Sequence, residues 1–177
     1  MSILGNGLTG YLIDINIREE FYVKAVILKK GDKPFTLLKN LFLSINNIQK
    51  EFNWLITEFE CYPRNQKYAE MLSGTYCWMT GNELTAMVEC EDFQWIWGVF
   101  SAFPINFQKE HILEYKFPKA DGNTELWQNP ISMQHPLAEI EIIAWDSSMT
   151  IIICKNDAII ECLKNNNPLA EDLETYL

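Results

Sequence analysis

Basic residues are scarce in this chain: Lys and Arg total 14 against 24 Asp and Glu, a formal net charge of −10 with both histidines neutral. A surface built to neutralise nucleic-acid phosphates needs the opposite balance, so nucleic acid is not the expected partner and a basic protein is. Long apolar runs are missing too. The stretches at 140–145 and 149–154 fall far short of the roughly 20 residues that cross a bilayer, and no membrane association is expected. The opening MSILGNGLTGYLIDINIREE lacks a basic start, an apolar run and a small-residue cleavage site, so a secretory signal is not expected and the cytoplasm is.

Signatures of catalysis are scarce as well. GxxxxGKS/T, GxSxG, HExxH and DxDxDG are absent, and the one GxGxxG spacing is Gly5-Asn-Gly-Leu-Thr-Gly10. Gly5, Gly7 and Gly10 precede a strand rather than joining a strand to a helix, which is the wrong place for a phosphate loop. Histidine is limited to His111 and His135, both in polar surroundings that suit a surface, and neither has a second His or a Cys at metal-ligand spacing. Five cysteines (Cys61, Cys77, Cys90, Cys154 and Cys162) form an odd set without CxxC, among apolar neighbours, which reads as reduced core thiols. No catalytic residue, cofactor or metal is assigned.

What is present is the material of a folded domain. The chain is 48% apolar and 21% charged over 177 residues, enough for one globular domain spanning 1–177. Alternation from Tyr11 to Ile17 predicts a half-buried strand, and 18–28 suits helix and strand, with helix preferred. Apolar positions 37, 38, 41, 42, 45, 48 and 52 predict an amphipathic helix over 36–52. Strands are predicted at 53–62, 74–79, 83–90 and 92–103, a short helix at 65–72, and a turn at Gly81 and Asn82. Residues 109–116 suit a strand or a short helix, and 118–125 form the expected flexible loop. A hairpin pairs 137–145 with 150–155, followed by a helix over 156–163 capped by Asn156 or Asp157 and a short helix over 169–176. The expected fold is α+β, with a largely antiparallel sheet, flanking helices, and a C-terminal hairpin followed by helices.

Two features stand out. Carboxylates alternate on predicted strands, as Glu58 with Glu60 and Glu139 with Glu141, and gather as Glu89, Glu91 and Asp92 ahead of an aromatic strand. Such pairs suit a general acid and base or a hard cation, but on a sheet with one wet face they are the solvated side. Six tryptophans are the second feature. Alternation puts Trp95 and Trp97 on one face with Phe93, and an aromatic anchor beside carboxylates is how a hot spot for a basic partner looks. The expected partner-binding residues are Glu58, Glu60, Glu89, Glu91, Asp92, Trp95, Trp97 and Asp146. Gly98, inside the aromatic strand, marks a bulge or a close backbone approach.

The segment Glu91 to Pro104 (EDFQWIWGVFSAFP), the later Ala138 to Cys154 (AEIEIIAWDSSMTIIIC) and Leu169 to Leu173 resemble the body and C-terminal end of immunity-type proteins of bacterial polymorphic toxin systems. The resemblance implies a cytoplasmic inhibitor without catalytic residues that covers or blocks a cognate toxin. Two other classes remain open at this point: a small enzyme using paired carboxylates or a Cys/His dyad, and a small-ligand module with an aromatic-lined cavity.

Overall fold

The computed structural model describes residues 23–31 and 34–177. Its strands are β1 (Lys24–Leu28), β2 (Phe52–Cys61), β3 (Tyr76–Thr80), β4 (Trp95–Pro104), β5 (Ile140–Trp145), β6 (Met149–Cys154) and the two-residue β7 (Glu171–Asp172). They form one antiparallel sheet in the order β3-β2-β4-β5-β6-β1-β7. The helices are α1 (Leu38–Ser44), α2 (Gln66–Met71), α3 (Gly81–Cys90), α4 (Lys109–Ile112) and α5 (Asp157–Asn166). The fold is α+β, as the sequence predicts.

Both faces of the sheet are covered, which is why β5 and β6 are nearly continuous runs of isoleucine rather than alternating strands. On the first face Trp54, Ile56, Phe100, Ile142 and Ile152 meet Leu38 and Phe42 of α1, Leu84 and Met87 of α3, and Ile160 and Leu163 of α5. On the second face Leu55, Val99, Phe103, Ile143 and Ile153 lie under an irregular stretch between β4 and β5, through Ile112, Ala120, Leu126 and Ala138, with Leu173 beside them.

Several elements differ from expectation. Residues 24–28 are strand, not helix: Val26 and Ile27 are β-branched, and pairing with β6 on one side and β7 on the other outweighs the local helical spacing. The predicted helix over 36–52 stops at Ser44, because Asn46 and Asn47 take φ of 55° and 58°, and a 3-10 turn (Ile48–Glu51) follows. Asparagine tolerates that left-handed region better than most side chains.

Residues 83–90 are helix rather than strand. Thr80 accepts the Glu83 N–H at 3.2 Å while Glu83 accepts the Thr80 N–H at 2.8 Å, a complete capping box. Gly81, expected in a turn, opens this helix. A Cβ there would stand 1.9 Å from the Gln49 carbonyl oxygen, so only glycine fits.

The stretch after β4 begins with helix α4, and the C-terminal stretch is β7 plus a 3-10 turn (Leu173–Tyr176) rather than a helix. Asn156 caps α5 as predicted, accepting the Ala158 N–H at 2.9 Å. The strand predicted at 11–17, the glycines before it and residues 18–22 lie outside the described residues.

Candidate functional site

The decisive local event is a double slip in the pairing of β2 with β4. Thr57 pairs with Val99, Glu60 with Trp97, and Cys61 with Trp95. One extra residue in β2, where Glu58 takes φ of 46°, is followed by one extra residue in β4. The second slip sets Trp95 and Trp97 on opposite faces, against the expectation that they share one.

Trp95 is only 1% exposed, on the first face, with the rings of Phe93, Phe100 and Phe59 at 5.0, 4.7 and 6.5 Å. It is core and no surface anchor. Trp97 is half-buried on the second face, its ring edge-on to Trp145 at 5.2 Å, and Trp145 meets Trp127 in the same way. Gly98 sits opposite the bulge in β2, where a Cβ would make only ordinary contacts from 3.5 Å outward.

The expected acidic residues lie where β2 ends, α3 leads into β4 and β5 turns into β6. There they divide by use. Glu58 accepts the N–H groups of Ala120 and, at 3.1 Å, Asp121, tying down the loop expected to be flexible. Thr57 adds a hydrogen bond to the Pro118 carbonyl at 2.8 Å. Glu91 accepts the N–H groups of Arg64 at 2.7 Å and Asn65 at 2.9 Å, at the start of α2. Asp92 accepts those of Leu38 at 3.0 Å and Lys39 at 3.3 Å, at the start of α1, whose own N-cap residue Leu37 supplies no side-chain acceptor.

Anions at helix starts satisfy donors that the helix leaves orphaned. The two backbone N–H groups hold the Glu91 carboxyl below its usual range, whereas burial pushes that of Asp92 up against the opposing pull of its hydrogen bonds. Glu58, Glu91 and Asp92 therefore serve the fold, whatever else they do.

Glu60, Glu89 and Asp146 are different. All three are exposed, and among the described residues none forms an ion pair. Asp146 stands in the β5–β6 turn with φ of 45°. Around β1, β7 and α5, by contrast, acids are matched by cations: Lys24 with Asp157 and Glu161, Lys30 with Glu171, and Lys164 with Asp172.

Beside Glu60 lies the aromatic that sequence reasoning missed. Tyr62 is 74% exposed, and its hydroxyl donates to Glu60 at 3.0 Å, which raises the phenol's pKa. It borders an open cleft of about 580 Å³ lined also by Arg64, Cys90, Glu91, Asp92 and Phe93. Cys90 is exposed rather than a core thiol, and Cys61 and Cys162 are half-buried. The available signal for Tyr62 was its place at the end of the alternation just before Pro63, where the chain leaves the sheet.

The second carboxylate pair also splits. Glu139 is half-buried and pairs with Lys155 at 3.4 Å, while Glu141 is fully buried on the second face, opposite Ser101. Glu141 accepts the N–H groups of Gln134 at 2.9 Å and His135 at 2.8 Å, with the Ser101 hydroxyl at 3.5 Å, and burial pushes its carboxyl up to about 7. His135, expected on the surface, is also fully buried. Its ring packs on Phe103 and Tyr115, its Nε2 faces the Ile112 carbonyl at 3.1 Å, and burial holds its pKa down. The ring turns to Ile112 and the carboxylate meets the His135 backbone, so the two are not hydrogen-bonded as an acid–base dyad.

Among the described residues no group of three His, Cys, Asp or Glu side chains could hold a metal ion, and no helix is long and apolar enough to cross a membrane. No family model matches the chain, and no curated protein or solved structure does either.

Proposed function

We propose that the protein is a non-enzymatic inhibitor of the immunity type, which binds a basic partner such as a cognate toxin domain through the acidic and aromatic end of its sheet. The observation that carries this reading is the asymmetry of charge pairing. Glu60, Glu89 and Asp146 lack ion partners among the described residues, and Glu60 accepts from the exposed Tyr62, while Asp157, Glu161, Glu171 and Asp172 are each paired with a lysine. Unmatched carboxylates raise the association rate with a basic surface through long-range attraction, and an exposed aromatic beside one of them supplies contact area to bury. In this role Tyr62 replaces Trp95 as the anchor, with the half-buried Trp97 behind it.

The test is co-purification with the product of the adjacent gene in low salt, followed by the triple charge reversal Glu60→Lys, Glu89→Lys and Asp146→Lys. A 1:1 complex that weakens as salt rises and is lost in the triple variant is expected. Absence of binding at low salt, or a complex indifferent to the reversal, would overturn the reading.

A further inference from the structure

We propose that β3 is a docking edge for a second copy of this chain, which pairs with it antiparallel about a two-fold axis and continues the sheet from one copy into the other. The inference is independent of the proposed binding role.

The two edges of the sheet are finished differently. On one side β1 is covered by β7, which is two residues long and wholly acidic, with Glu171 and Asp172 paired to Lys30 and Lys164. A short, charged edge resists further pairing. On the other side β3 consists of Tyr76, Cys77, Trp78, Met79 and Thr80, without a charge, a proline or a slip in its register to β2. It has none of the devices that blunt an edge.

Backbone parity identifies the groups left open there. Phe52 pairs with Pro104, which has no N–H, so that pair is not hydrogen-bonded, and the backbone groups of Phe52, Trp54 and Ile56 turn towards β3. Trp54 and Ile56 stand opposite Met79 and Cys77, which therefore bond β2, and Tyr76, Trp78 and Thr80 face outward. The Thr80 N–H agrees, since it is given to Glu83 at 2.8 Å instead of to the ladder. The outward N–H and C=O groups of Tyr76 and Trp78 have no hydrogen-bond partner among the described residues.

A second copy satisfies all of them at once. With Cys77 opposite its own counterpart, Tyr76 exchanges two hydrogen bonds with the second copy's Trp78, and Trp78 does the same with the second copy's Tyr76. Thr80 keeps its bond to Glu83, so the capping box of α3 stays intact. A register centred on Trp78 would instead call on the Thr80 N–H, which is already taken.

The side chains fit the same register. Tyr76 and Trp78 are half-buried on the second face, against Phe117 and Phe103, and the pairing lays each ring beside the other kind across the axis. Lys109 stands 5.5 Å from the Tyr76 ring and forms no ion pair among the described residues, while Glu83 sits at the Thr80 end. Antiparallel pairing sets the lysine end of each copy beside the acidic end of the other, so the charges are complementary across the axis.

The experiment is analytical ultracentrifugation of the full chain over a concentration series reaching about 0.1 mM, where a micromolar Kd is saturated, with residue-resolved hydrogen exchange at both ends of the series. The mass is expected to climb from the 20.6 kDa of one chain to twice that value. Exchange at the Tyr76 and Trp78 amides is expected to slow with concentration by about tenfold or more, while Thr80, held by Glu83 in either state, does not change. Tyr76→Pro deletes an outward N–H that no bond within the chain uses, and it is expected to keep the wild-type circular dichroism and the mass of one chain throughout. The exchange readout uses wild type alone, so it decides the question even if the variant does not fold. A wild-type chain that stays single at the highest concentration overturns the proposal, whether its Tyr76 and Trp78 amides exchange freely or are protected by a segment of the same chain. A dimer that leaves those amides unprotected, or that survives Tyr76→Pro, is joined elsewhere and equally overturns it.

Discussion

Two acidic residues three positions apart, Glu89 and Asp92, should behave very differently when removed. Asp92→Ala deprives the Leu38 and Lys39 N–H groups of their acceptor at the start of α1. Leu38 is 1% exposed, so water does not readily replace the carboxylate there, and an unsatisfied buried donor costs about 1–3 kcal/mol. A lost helix cap alone is worth about 1 kcal/mol, which sets the combined expectation near 2 kcal/mol. For a chain of this size each kcal/mol lowers Tm by roughly 2–4 °C, so Tm should fall by roughly 4–8 °C. Asp92→Asn keeps one acceptor oxygen and should fall in between. Glu89 is exposed and has no hydrogen bond among the described residues, so Glu89→Ala should change stability by less than about 0.5 kcal/mol. The assay is urea and thermal unfolding of the variants side by side at pH 7. Equal stability of Asp92→Ala and Glu89→Ala would refute the division of these acids into those that hold the fold and those that face a partner.

Gly81→Ala should be far more severe. Its Cβ would meet the Gln49 carbonyl at 1.9 Å and Lys50 Cα at 2.8 Å, and that carbonyl already accepts the Trp54 indole N–H at 2.9 Å, so a loss of at least about 3 kcal/mol in urea unfolding is expected. Trp95→Ala should cost about 3–5 kcal/mol in the same assay, as a fully enclosed aromatic. Tyr62→Ala should leave stability within about 0.5 kcal/mol while weakening capture of the basic partner.

The α+β class, β2, β4, the β5–β6 hairpin and the Asn156 cap are legible in the sequence because each follows from local periodicity or a local cap. The failures share a cause, which is distance along the chain. Residues 24–28 become strand through pairing with β6, more than 120 residues later. Glu91 and Asp92 cap helices whose starts lie 26 to 54 residues earlier, so their spacing in the sequence carries no trace of that use. The shared face expected for Trp95 and Trp97 follows from strict alternation, and it fails because the extra residue in β4 between them changes the parity. Glu141 illustrates the same limit from the other side: alternation correctly puts it on a sheet face, but whether that face is wet depends on the irregular stretch that covers it. Helix α3 is the exception, since its capping box was readable at Thr80 and Glu83, and the β-prone Leu84 to Cys90 outweighed it.

The acidic balance of the chain thus separates into physical roles with different consequences. Glu58, Glu91, Asp92 and Glu141 each accept two consecutive backbone N–H groups, so four carboxylates act as pins on loop or helix starts, alone at α1 and beside the Asn65 cap at α2. A second set is balanced by lysines near α5 and β7. On the proposed reading the partner meets Glu60, Glu89 and Asp146 together with Tyr62, and the strength of that surface does not rest on those residues alone. The pins Glu58, Glu91 and Asp92 lie at the same end, and hydrogen bonding to backbone amides disperses their charge without cancelling it, so they add to the field that Glu60, Glu89 and Asp146 present. Fold and recognition are therefore linked at this end of the sheet: the carboxylates that order the loops are the ones that deepen its negative potential, and a basic partner would meet an acidic surface already held rigid.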